Sequence, residues 1–318
     1  MATDSAASPD TRLATTTVAA LIAFAANSVL CRLALLPTGP DGAGGSIDAG
    51  SFTALRILSG ALVLVAVSLA RRRHSTTDLG KIQSGKTEAV DTELLRIGPR
   101  DLRQGAALFV YMVGFSLAYI SLGAGLGALV LFGAVQVTML AGALLGGERF
   151  GMLGWTGFAL ALAGLVWLVS PGDAAPEPLA VASMAVAGIA WGYFSLSGRG
   201  AGEPVLAMTR AFVLCVPAGG IFLALYAAVA PLSITWPGAL LAAASGGLAS
   251  GLGYVLWYAV LPRLGAGRAA TVQLAVPVIA AVAGVLLLAE PLTARLTLSS
   301  IAVLGGVALV LHARSRSP

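Results

Sequence analysis

The sequence predicts an all-α, polytopic membrane protein whose ten transmembrane helices form two inverted five-helix repeats. Three observations support this fold class: an apolar composition, ten apolar runs, and matching motifs in the two halves. Of the 318 residues, 58% are hydrophobic and 10% are charged, and the mean hydropathy is +0.90. Soluble domains contain about 25% charged residues. The composition therefore excludes a soluble protein and indicates one that is embedded in a bilayer.

The apolar runs are long enough to cross a hydrocarbon core of about 30 Å, because a helix rises about 1.5 Å per residue. Glycine, proline and charged residues bound these runs. Cys31 and Cys215 lie inside them, where we interpret both as packing residues and not as a disulfide. The predicted spans are 13–36, 51–70, 104–122, 125–146, 151–170, 178–198, 205–229, 238–261, 269–289 and 294–312.

The basic residues predict the direction of these spans. If the N-terminal tail is cytoplasmic, most of the 19 Lys and Arg residues fall on inside segments, many of them in the loop 71–103. Among the outside segments, Arg295 is the only basic residue. The positive-inside rule then places both termini in the cytoplasm. We expect a multi-pass protein of the cell (inner) membrane.

Sequence motifs recur in the two halves of the chain. IAFAANSVLCR (22–32) in the first helix matches IAWGYFSLSGR (189–199) in the sixth, and FTALR (52–56) matches LAMTR (206–210). Because each unit has an odd number of helices, the second unit must enter from the opposite side, as in many secondary transporters. The predicted organisation is a tail at 1–12, a first repeat at 13–170, a second repeat at 171–312 and a tail at 313–318.

These features resemble the EamA-type, ten-helix transporters of the drug/metabolite transporter superfamily. The resemblance rests on the first-helix pattern, the arginine near the start of the second helix, and QVTMLAGALLGGERF (136–150) with its counterpart PVIAAVAGVLLLAEPLT (277–293). It covers residues 13–312. It implies alternating access of the two repeats, with a cavity lined by the first four helices of each. It also implies a permease, with export as the expected direction, for a small organic metabolite such as an amino acid.

The fourth helix departs from the family pattern. Pro277 and Glu290 match the proline and the glutamate that the family places in the fourth helix of each unit, but Val135 and Gln136 stand where the first unit would have its proline. Without that proline, we expect the fourth helix to be unbroken.

Polar residues inside apolar helices are the candidates for substrate binding. Phe24, Ser28 and Arg32 lie on one face of the first helix, and an equivalent ladder recurs in the sixth helix. An aromatic ring, a hydroxyl and a guanidinium suit an aromatic or carboxylate-bearing solute. The predicted substrate-binding residues are Phe24, Asn27, Ser28, Arg32, Arg56, Tyr119, Gln136, Trp191, Ser195, Arg210 and Gln273.

The arginines have a second interpretation. By the predicted topology, Arg32 and Arg56 lie toward the outer face, while Arg199 and Arg210 lie toward the inner face. Each mouth would then carry a pair that attracts anionic groups. Alternatively, these side chains reach the headgroups, anchor the helices at the interface or cap helix ends.

The remaining titratable groups argue against a proton relay. Glu148 and Glu290 each close the fourth helix of a unit, where we expect them to receive arginine or backbone donors at a turn. Asp and Glu are absent from the middle of the predicted spans, and His74 and His312 lie in a loop and in the tail. This pattern favours a uniporter-like mechanism.

One motif is interpreted as a coincidence. GKIQSGKT (80–87) satisfies the P-loop expression, but it lies in a short basic connector without the strand and helix that phosphate binding requires. We expect no cofactor and no metal. The expected partners are a small-molecule substrate and the lipid bilayer, with no nucleic acid or nucleotide; a homodimer is left open.

The sequence also bears on two other function classes. An intramembrane enzyme needs an embedded Asp pair, a Ser with His, or a metal-binding cluster, and the sequence offers none of these, so we expect no enzymatic activity. A non-transporting membrane receptor or structural protein is the remaining alternative.

Overall fold

The structure is a computed structural model that describes residues 9–36, 47–78, 97–147, 151–170, 176–197 and 203–315. Within these ranges the chain is helical, apart from turns and an isolated antiparallel bridge between Ile47 and Ile234. This confirms the predicted all-α, polytopic fold. The P-loop-like segment, Glu148 and Arg199 lie outside the described residues.

Helices of the first half agree with the predicted spans, except at their ends. The third helix begins at Pro99 and not at residue 104, because Pro suits a first helical turn and the Gly98 amide donates to Asp101 Oδ2 at 2.9 Å. The fourth helix is unbroken, as its lack of proline predicts. The helices are α1 (Pro9–Leu35), α2 (Ala49–Asp78), α3 (Pro99–Ala118), α4 (Ala124–Leu145) and α5 (Met152–Val169).

The second half contains two features that the sequence did not predict. A π-helix, Ser245–Leu252, interrupts the eighth span within the stretch SGGLASGL. The span also continues past Pro262 to Gln273, whereas a loop was predicted between residues 261 and 269. The helices are α6 (Pro178–Ser197), α7 (Pro204–Val229), α8 (Trp236–Ala244), α9 (Gly253–Gln273), α10 (Ala275–Leu288) and α11 (Ala294–Ser315).

The lengths of these helices suit a membrane. Among the described residues, six spans are long and apolar enough to cross a bilayer: Asp10–Leu35, Ala49–Arg71, Ala124–Leu145, Pro178–Ser197, Pro204–Val229 and Trp236–Leu264. Three shorter apolar helices accompany them: Met152–Leu168, Ala275–Leu288 and Ala294–Val310.

Helix packing follows a two-fold pattern. The repeat-related pairs α2 with α7, α4 with α10, and α5 with α11 pack against each other. The contact of α1 with the eighth span is matched by that of α6 with α3, and the contact of α1 with α10 by that of α6 with α4. This is the pattern expected of two inverted repeats.

The inner side chains of both halves form one buried core. Large side chains with almost no exposure include Phe52, Phe115, Tyr119 and Phe212. By contrast, α5 and α11 lie at one side of the bundle and pack mainly on each other. The site lies between the helices that share the core.

Candidate functional site

A pocket opens between the two halves of the chain. About 300 Å³ of empty space lies there, counting its open side, but the interior has room for about one water molecule at most. It is lined by Phe24, Asn27, Ser28, Tyr111, Phe115, Leu131, Phe132, Trp191, Ala249, Ser250 and Tyr254. These residues come from α1, α3 and α4 of the first half and from α6, the π-helix and α9 of the second.

The pocket lies well inside the bundle. Asn27 is eight residues before the end of α1, and Phe132 is eight residues after the start of α4. At about 1.5 Å per residue, both lie about 12 Å from those helix ends. This depth approaches the middle of a hydrocarbon core of about 30 Å.

Aromatic rings form most of its wall. The ring of Trp191 stacks on that of Tyr111 at 5.5 Å between centroids, and Phe132 meets Trp191 edge to face at 5.3 Å. Phe24 contacts Tyr254 at 5.4 Å and Trp257 at 5.8 Å. Such rings can hold a flat or apolar group by burial and by edge or face contacts.

A short polar network crosses the repeat interface beside these rings. Asn27 Nδ2 donates to the Tyr111 hydroxyl at 3.4 Å, and the Ser245 hydroxyl donates to Asn27 Oδ1. Asn27 is 6% exposed and Ser245 is fully buried. Polar groups at this depth are costly unless paired, so the network fixes α1 against α3 and the π-helix.

Arg56 extends this network with a buried positive charge. Its side chain has no exposed surface. Arg56 Nη2 donates to the Tyr111 hydroxyl at 2.9 Å, and Cζ lies 4.5 Å from the ring centroid of Phe115 and 5.2 Å from that of Tyr111. Its Nε and Nη1 atoms are buried without a hydrogen-bond partner among the described residues. The sequence placed Arg56 near a mouth; the structure places it in the core.

Arg32 occupies a different environment at the end of α1. Its Nη1 donates to the carbonyl oxygens of Tyr119 at 3.0 Å and Ile120 at 2.7 Å, which follow the end of α3. Its Nε lies 3.8 Å from Glu290 Oε1, and the side chain is 17% exposed. The guanidinium therefore caps α3 and pairs with the second half of the chain. It does not line the pocket.

Glu290 joins three helices at the same end of the bundle. Both of its carboxylate oxygens accept from the amide of Ala124, at 2.9 and 2.8 Å, at the positive end of α4. A Cβ on Gly123 or Gly284 would lie 2.9 or 2.6 Å from Glu290 Oε2, so glycine leaves room for the carboxylate. Ala289 turns the chain with a φ of 52°. We call this region, where Arg32 meets Glu290, the Glu290 end.

The other predicted site residues are spread over the bundle. Tyr119 is fully buried and donates to the Ala124 carbonyl at 3.3 Å, and Gln136 is buried one turn beyond Phe132. Ser195 donates to the carbonyl of Trp191 in its own helix at 2.9 Å. Arg210 Nη1 lies 3.8 Å from Asp101 Oδ1, and Gln273 is half-buried at the end of α9. None of these five residues lines the pocket.

Several pocket residues were missed by the prediction of site residues. Phe115 and Phe132 are apolar, and nothing in the sequence distinguishes them from core residues. Ser250 lies in the stretch SGGLASGL, whose small residues indicate close helix packing. One available signal was the spacing of Tyr111 and Phe115, which places both on one face of α3.

Comparison with known proteins supports the same conclusion about the fold. The EamA-like transporter family matches residues 178–312. The uncharacterized protein PA1977 of Pseudomonas aeruginosa is 45% identical over 306 residues, which cover 96% of each chain. An uncharacterized transporter of Archaeoglobus fulgidus is 45% identical over 62 residues, or 20% of this chain and 22% of that protein.

The chain belongs to the EamA-like transporter family. A crystal structure of another protein resembles this EamA-like transporter with a TM-score of 0.62 and 20% sequence identity, over 94% of this chain and 99% of that one. At that identity the likeness concerns the fold alone. The family and the apolar helices make the chain a multi-pass membrane protein of a family of transporters, which is not a family of enzymes.

Proposed function

We propose that this EamA-like transporter is a secondary permease that exports a small organic metabolite, such as an amino acid or a related compound, by alternating access. One observation carries the proposal: the pocket is lined by both repeat halves, at a depth of about 12 Å from the helix ends. Secondary transporters with inverted repeats bind their substrates at such an interface.

In the proposed arrangement the cell (inner) membrane holds residues 13–170 as one repeat and 171–312 as the other. Both termini face the cytoplasm, which the distribution of Lys and Arg supports. The Glu290 end then faces outward. Contacts between the repeats close that end: Arg32 with Glu290, Ala124 with Glu290, and the paired backbone of Asp48 and Ser233.

Alternating access requires these outer contacts to break when the pocket opens outward. It also requires the aromatic wall to move, because the pocket interior in this conformation has room for about one water molecule at most. Substrate binding can supply the free energy for such a change only through contacts that differ between the two states.

The test is metabolite export from liposomes. Purified protein is reconstituted into liposomes loaded with the metabolites of a cell extract, and mass spectrometry measures which compounds leave. We expect at least one small metabolite to leave faster than from protein-free liposomes. Folded protein that releases no compound faster than the control would contradict the proposal.

A matched pair of variants ties the export to the pocket. Trp191→Leu removes a ring that contacts Tyr111 and Phe132, so we expect export to fall about tenfold or more. Trp155→Leu makes the same change on the peripheral helix α5, where Trp155 is half exposed, and should leave export close to that of the parent. An equal loss of export in both variants would mean that export does not depend on the pocket.

A further inference from the structure

We propose that Arg56 binds the carboxylate of the transported solute, and that the substrates are therefore organic anions with an apolar body. The inference rests on the proposed function, because it assigns a substrate class to the same pocket. Three independent features support it: the unmet donors of Arg56, its difference from the equivalent arginine in the second repeat, and the chemistry of the pocket wall.

Arg56 has a charge that the described residues do not neutralise. Of its three guanidinium nitrogens, Nη2 is bonded to Tyr111, while Nε and Nη1 are buried without a partner in the described part of the chain. The two aromatic faces beneath it moderate the charge but accept no conventional hydrogen bond. A buried cation in a membrane protein is costly unless an anion or a polar cavity compensates it.

In the second repeat, the equivalent arginine, Arg210, has a carboxylate partner within the protein. Arg210 ends the motif LAMTR, as Arg56 ends FTALR, and Arg210 lies 3.8 Å from the carboxylate of Asp101 in the first turns of α3. The repeat-related position for Arg56 is the beginning of the eighth span. That segment, WPGALLAAA, contains no acidic residue. The first repeat therefore keeps the arginine without the resident carboxylate.

Arg56 lies directly behind the pocket wall and does not itself line the pocket in this conformation. It lies seven residues into α2, about 10 Å from the helix end, which is close to the depth of Asn27 and Phe132. It contacts Tyr111 and Phe115, which both line the pocket. Ser250, on the pocket wall, has a buried hydroxyl that also lacks a partner among the described residues. Arg56 and Ser250 together offer donors from which a carboxylate can accept hydrogen bonds.

The residues of the pocket wall determine which chemical groups the rest of the solute can carry. Phe24, Phe132 and Trp191 provide apolar surface, so the body of the solute is expected to be apolar. The described residues that line the pocket include no Asp or Glu, so an ammonium group would find no counter-ion there. The same chemistry therefore favours a simple carboxylate over a zwitterion.

The test measures binding of three related probes to the full chain in lipid nanodiscs. They are 3-phenylpropionate, its uncharged amide and phenylalanine, and the readout is tryptophan fluorescence, since Trp191 lines the pocket. We expect 3-phenylpropionate to bind at least about tenfold more tightly than the amide, because charged hydrogen bonds exceed neutral ones. Phenylalanine is expected to bind more weakly than 3-phenylpropionate.

Variants then assign the preference to Arg56. R56Q should bind the carboxylate and the amide equally weakly, and R56K, which retains the charge, should recover part of the preference. R71Q is the matched control, because Arg71 forms an exposed pair with Glu203 at 3.4 Å and should leave binding unchanged. Unfolding temperatures of all three variants show whether the fold is intact; the comparison of probes on the parent needs no variant.

Different outcomes separate this inference from the proposed function. If the parent binds the amide as tightly as the carboxylate, or if folded R56Q keeps the preference, the assignment of Arg56 is wrong. If liposomes exchange phenylalanine but not 3-phenylpropionate, the permease proposal stands and the organic-anion substrate class is wrong. If the folded protein binds and exchanges none of the three probes but still exports another metabolite of the cell extract, the organic-anion substrate class is wrong and the permease proposal stands.

Discussion

At the residue scale, the two arginines near the ends of α1 and α2 have different surroundings. Arg32 satisfies two backbone carbonyls after α3 and pairs with Glu290, so its charge is compensated at the bundle end. Arg56 is fully buried and stacks on aromatic rings beside the pocket. Arg32 therefore stabilises the closed end, whereas Arg56 is the arginine that we propose binds the solute.

Glu290→Gln tests the contacts that hold the Glu290 end together. The amide side chain keeps the shape but loses the charge that faces Arg32 and the Ala124 amide. Hydrogen bonds to charged groups contribute about 1.5–3 kcal/mol each, so we expect a loss of about 1–3 kcal/mol in unfolding free energy. The measurement is reversible unfolding in detergent.

Glu203→Gln is the control for that substitution. Glu203 pairs with Arg71 at 3.4 Å, but the two side chains are 56% and 48% exposed. Exposed pairs contribute about 0–1 kcal/mol, so this variant should unfold close to the parent. Equal effects at the two positions would mean that Glu290 is no more than an exposed ion pair.

Sequence reasoning identified Phe24, Asn27, Ser28 and Trp191, and the structure places all four at the pocket. Their signal was a polar or aromatic residue in an apolar helix, and for Phe24, Ser28 and Trp191 a residue of the same kind recurs in the other half. Arg56 carried the same signal, but its burial depends on the contact of α2 with α3 and with the π-helix. Contacts between distant segments cannot be obtained from the pattern within one helix.

At the element scale, the π-helix Ser245–Leu252 places backbone groups of the eighth span against α2 and α1. Gly246 lies against the carbonyl oxygen of Arg56, and Ser245 bonds Asn27. Single π-turns in helices are frequent at functional sites. Here the π-helix supplies both the close approach to α2 and the Ser250 position on the pocket wall.

Gly246→Ala tests this close approach. An added Cβ would overlap the Arg56 carbonyl oxygen and the Ser59 hydroxyl, and the carbonyl belongs to the backbone and cannot rotate away. We expect a loss of about 2 kcal/mol or more in stability, in the range of overpacked cores. We expect the unfolding temperature in detergent and the rate of export from liposomes both to fall.

Gly220→Ala is the matched control in α7. Beyond the adjacent residues and the local helix backbone, no atom of the described residues lies within 4 Å of the Cβ position there, and alanine favours a helix over glycine by about 0.5–1 kcal/mol. This variant should be as stable as the parent or slightly more stable. If Gly246→Ala were as stable as the parent, the result would contradict the close contact of the π-helix with α2.

The sequence predicted the helices better than their ends. The loop predicted between residues 261 and 269 rested on Pro262 and on the glycines that follow, but the helix continues to Gln273. Within or near a bilayer, unpaired backbone groups are costly, so a helix persists through residues that would end it in water. The π-helix was not predicted, because its register follows from packing on α2 and not from the local sequence.

At the scale of the whole molecule, contacts between the two repeats close the bundle at both of its ends. The Glu290 end joins the repeats through Arg32, Ala124 and Asp48, while the other end joins them through Arg210 with Asp101 and Arg100 with the Ser197 carbonyl. In an alternating-access cycle these two sets of contacts break in turn.

A disulfide across the Glu290 end tests whether opening of that end is required. Ile47 and Ile234 are paired in an antiparallel bridge, whose Cα separation of about 4.5–5.5 Å suits a disulfide. Ile47→Cys with Ile234→Cys, in a chain where Cys31 and Cys215 are replaced by alanine, should lose export on oxidation. A reductant should restore export, and the single-cysteine variants should show no change on oxidation.

In the proposed transport cycle, the pocket is reached from the two sides of the membrane in turn. The most direct measurement is the labelling of Ser250→Cys by a membrane-impermeant thiol reagent, applied to either face of oriented vesicles, in the same cysteine background. We predict labelling from both faces, and that oxidation of the 47–234 cysteine pair abolishes labelling from the Glu290 face alone. Labelling from one face only, or labelling that the disulfide does not change, would contradict alternating access.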